Sequence, residues 1–127
     1  MTLVSEAMNR SVVAVAPEAR AVDAVALAHA AHAVHLVVLD AGNLVGILCS
    51  VCDLQDVDPD EDVAERMTVP VLTIRPDASV EDAALTMREC DVGCLPVTCG
   101  GMLLGTVCRG ELERAGVRAP RARRCHH

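Results

Sequence analysis

Residues 92–112 read VGCLPVTCGGMLLGTVCRGEL, and this stretch decides the fold. Two apolar runs, Leu95 to Cys99 and Met102 to Cys108, flank Gly100-Gly101. A two-residue Gly-Gly link between such runs signals a tight β-hairpin, because both turn residues must take positive φ. Gly110 to Ala115 then reads as a short helix. Upstream, Val80, Ala83, Ala84, Met87 and Cys90 recur at helical spacing. Ser79 supplies a capping oxygen with Asp82 three residues on, and Gly93 ends the helix. Val71 to Arg75 forms a short strand stopped by Pro76.

The same order of elements recurs 59 residues earlier. Val4 to Cys49 lies over Val63 to Cys108 without a gap, with identities that include Glu6/Glu65, Met8/Met67, Pro17/Pro76, Leu36/Leu95, Gly42/Gly101, Gly46/Gly105 and Cys49/Cys108. The first half is therefore read as a strand Val12 to Ala16, a helix Val22 to Ala33, and strands Leu36 to Asp40 and Leu44 to Cys49. A short helix is expected near Cys52 to Gln55. An acidic link, residues 56–65, joins the halves, and Glu61 to Met67 within it reads as a helical turn. A three-stranded repeat of this size cannot bury both sheet faces alone. The expected fold is thus α+β, with two β-α-β-β-α repeats packed sheet to sheet as one pseudo-two-fold module. The repeats span residues 1–57 and 58–117, followed by a disordered basic tail, residues 118–127, that ends in a tag remnant.

Composition narrows the function. The chain has 127 residues, is 52% hydrophobic, and contains no Phe, Tyr or Trp. Stacking of bases on aromatic rings is excluded. All 18 acids lie within residues 1–113, while five of the eleven Arg lie in residues 114–127. The acidic body repels nucleic acid and anionic membranes. No apolar run reaches membrane-span length and no secretory signal opens the chain, so a cytoplasmic location is expected. Seven Cys, an odd number, argue against a disulfide framework.

Taken together, Met8, Val12–Pro17, His35-Leu36-Val37-Val38, Gly42, Gly46-Ile47-Leu48-Cys49 and Asp53-Leu54, with their counterparts Met67, Val71–Pro76, Val92-Gly93-Cys94-Leu95-Pro96-Val97, Gly101, Gly105-Thr106-Val107-Cys108 and Glu111-Leu112, resemble the cystathionine-β-synthase (CBS) domain family in both halves. The resemblance covers residues 4 to 115. It implies a regulatory module that binds an adenosine-containing ligand (AMP, ADP, ATP or S-adenosylmethionine) in a cleft between the repeats. It further implies a homodimer that signals to a regulated partner protein, with no cofactor and no catalysis of its own. The implied ligand-binding residues are Ser11, Val12, Val13, Leu36, Val37, Cys49 and Asp53 around repeat one, and Pro70, Val71, Leu95, Pro96, Cys108, Arg109 and Glu111 around repeat two.

The chemistry of these positions supports the same reading. A helix N-terminus after the strand suits phosphate, a first-turn carboxylate accepts ribose hydroxyls, and Val13, Leu36 and Val37, or Val71, Leu95 and Pro96, would sandwich an adenine. The family usually carries Thr or Ser where Cys49 and Cys108 stand, and Asp where Cys52 and Glu111 stand. With Arg109 as its neighbouring cation, repeat two is the better candidate for an anionic nucleotide.

Two other readings use the same fold. Cys49-x-x-Cys52 has the spacing of a metal knuckle or a redox pair, which would make the chain a metal- or thiol-based sensor. Degenerate clefts would leave a structural dimerisation domain. His29, His32 and His35 are read as a solvated or hydrogen-bonded face rather than a ligand set. The acidic link lacks the Gly of a calcium loop. Glu111 and Glu113, two apart on a helix, diverge and do not form an acid/base pair.

Overall fold

The computed structural model describes residues 1–118, so the expectations for the rest of the basic tail lie outside the described residues. The elements are α1 (Val4–Ala7), β1 (Ala14–Val15), α2 (Ala21–Ala31), β2 (His35–Asp40), β3 (Asn43–Cys49), a 3-10 turn (Val63–Glu65), α3 (Val80–Cys90), β4 (Cys94–Cys99), β5 (Met102–Cys108) and α4 (Arg109–Arg114). They form two compact units: Val13–Val71, and Met1–Val12 together with Leu72 onward.

In the first unit β1 runs parallel to β2, and β2 pairs antiparallel with β3. Ala21, Ala24 and Ala28 of α2 pack on Leu36, Val38, Leu48, Leu54 and Val63 to form the core. In the second unit β4 pairs antiparallel with β5, and Val80, Ala83, Ala84 and Met87 of α3 pack on Leu95, Val97, Val107 and Leu112. Both hairpins turn through two positive-φ residues, Ala41-Gly42 and Gly100-Gly101. Both also slip by one residue, between Val38 and Leu39 and between Val97 and Thr98. The extra residue opposite, Val45 or Leu104, marks a β-bulge at equivalent places.

The strand expected over Val71 to Arg75 shrinks to a single parallel bridge, Ile74 to Val97. The cause is Pro96. In the first unit the Val37 N–H donates to Val13 O at 3.0 Å. The equivalent donor in the second unit would be Pro96, which has no N–H. Helix α3 ends earlier than expected, at Cys90, because Asp91 (φ 55) takes the left-handed cap ahead of Gly93, as His32 (φ 52) does after α2. Ser79 caps α3 as expected, its hydroxyl accepting from the Asp82 N–H at 3.1 Å.

The segments preceding each repeat are exchanged. Residues 1–12 belong with the second half of the chain: Val4 N–H donates to Ala78 O at 2.8 Å, Val80 N–H to Thr2 O at 3.0 Å, and Asn9 and Thr106 exchange bonds at 2.8 and 2.9 Å. The linker serves the first half in the same way, through Ala21 N–H to Glu61 O and Val63 N–H to Ala19 O, both 2.8 Å, and through the Thr68–Ile47 bridge. The repeated Glu6 and Glu65 are capping carboxylates, each accepting from the backbone N–H three residues earlier at 2.8 Å. The repeated Met and Gly are partners across this exchange. Met67 covers Gly46, and Met8 with the Asn9 backbone covers Gly105.

Arg66 fastens the acidic link. Its guanidinium forks onto Glu61 (2.5 and 2.7 Å) and donates to the carbonyls of Gln55 (2.9 Å), Asp53 and Asp56 (both 3.3 Å). The charge-assisted bonds from Arg66 lower the Glu61 carboxyl from 4.5 to about 2. A depressed carboxylate stabilises the fold fully above its unfolded value and loses that contribution as pH falls toward its folded value. Arg66→Met is therefore expected to lower the urea midpoint at pH 7. The gap to the parent protein should narrow steadily between pH 4.5 and pH 2. Chemical denaturation of both proteins across that range checks it.

Candidate functional site: the ends of β3 and β5

Each hairpin delivers its last residue, Cys49 or Cys108, to a turn where a carboxylate waits. The Cys108 N–H donates to Glu111 Oε1 at 2.7 Å, three residues ahead, which caps α4. The Cys49 N–H donates to Asp53 Oδ2 at 2.8 Å, four residues ahead. That extra residue explains a difference between the halves. Arg109–Arg114 is a helix, whereas the helix expected near Cys52 to Gln55 is a run of turns that ends with Asp56 at φ 52. Spacing of three matches the N-cap to N3 geometry of a capping box, and spacing of four does not.

The sequence-predicted residues divide between the two units. Val13, Leu36, Val37, Cys49, Asp53, Pro70 and Val71 lie in the first; Ser11, Val12, Leu95, Pro96, Cys108, Arg109 and Glu111 lie in the second. The Val69–Pro70 peptide is cis. Leu36 and Leu95 are completely buried and point into the cores formed with α2 and α3. Their side chains therefore face α2 and α3 rather than the opposite face of the strands. Their neighbours Val37 and Pro96 point the other way, outside those cores, and are also buried. Ser11 is exposed, and Val12, Val13 and Val71 are half-buried.

At the end of β5 the charges are paired locally. Arg109 Nε lies 3.4 Å from Glu113, and Arg114 donates to Glu111 Oε2 at 2.8 Å. Arg114, not among the residues expected at the site from sequence, is thus a second cation beside Glu111. Its i,i+3 spacing from Glu111 was the available signal. Glu111 and Glu113 do diverge onto different partners.

The thiols lie closer together than sequence indicates. Cys94 Sγ is 2.7 Å from Cys108 Sγ, and Cys49 Sγ is 3.2 Å from Cys52 Sγ. Cys49 and Cys52 are in contact, and Cys49 is a free thiol. The thiol contact with Cys108, and then burial, push the Cys94 thiol well up, and burial raises Cys49. Near the end of β3, a cavity of about 400 Å³ is bordered by Val25, His29, His32, Val34 and Ser50.

These repeated strand-end turns, each closing an α-β-β hairpin unit, define a class, and the CBS-domain family model matches the chain over residues 4–50 and 57–118. The chain belongs to the CBS-domain family. Among solved structures it is similar to the CBS-domain protein NE2398 (26% identity, 91% of this chain and 98% of that one, TM-score 0.84). It is also similar to CBSX2 of Arabidopsis thaliana, solved with AMP (28%, 91% and 96%, 0.82). A third similar structure is the cytosolic domain of the Mg2+ channel MgtE, solved with ATP (30%, 85% and 46%, 0.75). No curated protein sequence matches it. No helix among the described residues is long and apolar enough to cross a membrane.

Proposed function

We propose that the chain is a non-catalytic sensor that binds an adenosine-containing ligand at the end of β5 in the second repeat and passes its state to a partner protein. The observation that supports this most is the Cys108–Glu111 turn with Arg109 and Arg114 beside it. Arg109, first in α4, and Arg114, last in it and paired with Glu111, would supply cations for a phosphate, and Glu111 a carboxylate for ribose hydroxyls. The complexes of similar chains with AMP and ATP are consistent with it. The corresponding turn in the first repeat has Asp53 without an adjacent Arg in sequence, and suits a less charged ligand. A cytoplasmic homodimer is the form expected for such a sensor.

Thermal unfolding against AMP, ADP, ATP, S-adenosylmethionine and adenosine tests the reading. Circular dichroism is the probe, since the chain has no Trp or Tyr. A bound ligand at ~100 times its Kd adds about 2.7 kcal/mol. Arg109→Ala, at an exposed position, is expected to weaken the nucleotides by about tenfold, the size of a charge-assisted bond, while leaving adenosine unchanged. A flat panel would overturn the proposal and favour a purely structural module.

A further inference from the structure

The contact between Cys94 and Cys108 has no role in ligand binding as proposed above. The two residues face each other directly across β4 and β5. Opposed residues of an antiparallel pair have Cα atoms about 4.5–5.5 Å apart. Disulfides need about 4.4–6.8 Å, with a sulfur–sulfur bond of about 2.05 Å. The sulfurs already stand 2.7 Å apart, so bonding requires only a small approach and no change of register. Cys94 is buried at 3% exposure, whereas Cys108 is half-buried at the strand end.

We propose that Cys94 and Cys108 form a reversible cross-strand disulfide, a redox modification site in the second repeat. Its support, the sulfur–sulfur contact, is separate from that of the nucleotide reading, although Cys108 also lies in the proposed turn. The oxidant is a hydroperoxide. Cys108, the more accessible, attacks one peroxide oxygen as the thiolate; the S–O bond forms, the O–O bond breaks, and the leaving hydroxide takes up the thiol's proton to become water. Cys94 then attacks the sulfenic sulfur; the S–S bond forms, the S–O bond breaks, and the departing oxygen leaves as a second water with the Cys94 proton. Two thiols are oxidised by two electrons and one peroxide is reduced to two waters. A dithiol reverses the step by exchange. The contact with Cys108, and then burial, push the Cys94 thiol well up, so the more accessible Cys108 is the attacking sulfur.

The test uses the full chain carrying Cys52→Ser and Cys125→Ser, fully reduced and metal-free. One equivalent of hydrogen peroxide is expected to remove the mass of two hydrogens, and dithiothreitol to restore it. Tandem mass spectrometry should place the link between Cys94 and Cys108. Further replacement of the exposed Cys90 and Cys99 by Ser should leave the mass loss intact, while Cys108→Ser or Cys94→Ser should abolish it. Should Cys94→Ser not fold, Cys108→Ser at its half-buried position decides. A mass loss that persists in Cys108→Ser, or its absence in the parent, overturns the proposal. Neither result bears on nucleotide-induced stabilisation, which is measured on reduced protein.

Discussion

Removing residues 1–10 is expected to unfold the second half of the chain and leave residues 13–71 folded. Val4 is wholly buried among Val80, Ala83, Leu95 and Leu112. Losing a buried Val forfeits about 1.5–3 kcal/mol. The truncation also removes the partners of Val80 N–H, Thr106 N–H, and the carbonyls of Pro76, Ala78 and Thr106. Each hydrogen bond lost to water costs about 0.5–1.5 kcal/mol. Together these losses are comparable with the about 5–15 kcal/mol that holds a domain folded. Hydrogen exchange read by mass spectrometry should show α3, β4 and β5 exchanging freely while β2 and β3 stay protected. Slow exchange in β4 and β5 of the truncated chain would show that residues 72–118 hold a core without the segment.

Gly105→Ala is expected to destabilise by about 3 kcal/mol and Gly46→Ala by about 1 kcal/mol, the two ends of the usual range for overpacking. A methyl at Gly105 would lie 2.6 Å from the Asn9 carbonyl oxygen, on backbone pinned by the Thr106 bridge. A methyl at Gly46 would lie 2.5 Å from Met67 Sδ, at the end of an unbranched side chain that can turn away. Met67→Ala should therefore recover much of the Gly46→Ala cost, and Met8→Ala little of the Gly105→Ala cost. Urea midpoints for the two double-mutant cycles measure the difference. Equal costs at both glycines would show that the Asn9 segment yields as readily as a methionine.

These two cases also separate what the sequence makes legible from what it hides. The 59-residue repeat, the positive-φ turns at Gly42 and Gly100-Gly101 and the Ser79 cap can be read directly, because each is a local preference of its own residues. The exchange of segments cannot. Met8 and Met67 look the same whichever half they cover, and only tertiary contacts decide between the two. The lost helix after Cys49 was foreshadowed by the extra residue before Asp53, whose effect on capping geometry shows only in coordinates. The lost strand at Val71 to Arg75 follows from the missing N–H of Pro96, which matters only once the parallel neighbour is known. Cys94 escaped notice for a similar reason. A regular hairpin about Gly100-Gly101 would set Cys94 opposite Val107; the bulge at Leu104 shifts the register by one and brings it opposite Cys108. At the candidate site the turn that holds Cys108, Arg109 and Glu111 is local in sequence, so its capping geometry is legible there. The burial of Leu36 and Leu95 follows from strand phase, which a bulge makes hard to assign in advance.

The interleaved connectivity also sets an order of assembly on the ribosome. Every residue of the unit Val13–Val71 is available once a little more than half of the chain has emerged, and its contacts span short stretches. The other unit joins Val4 to Ala78 and Asn9 to Thr106, closing loops across most of the chain. Loop closure over such separations is slow and must wait for the last strand. During synthesis Val4 and Met8 therefore stay without their core partners until α3, β4 and β5 have been made.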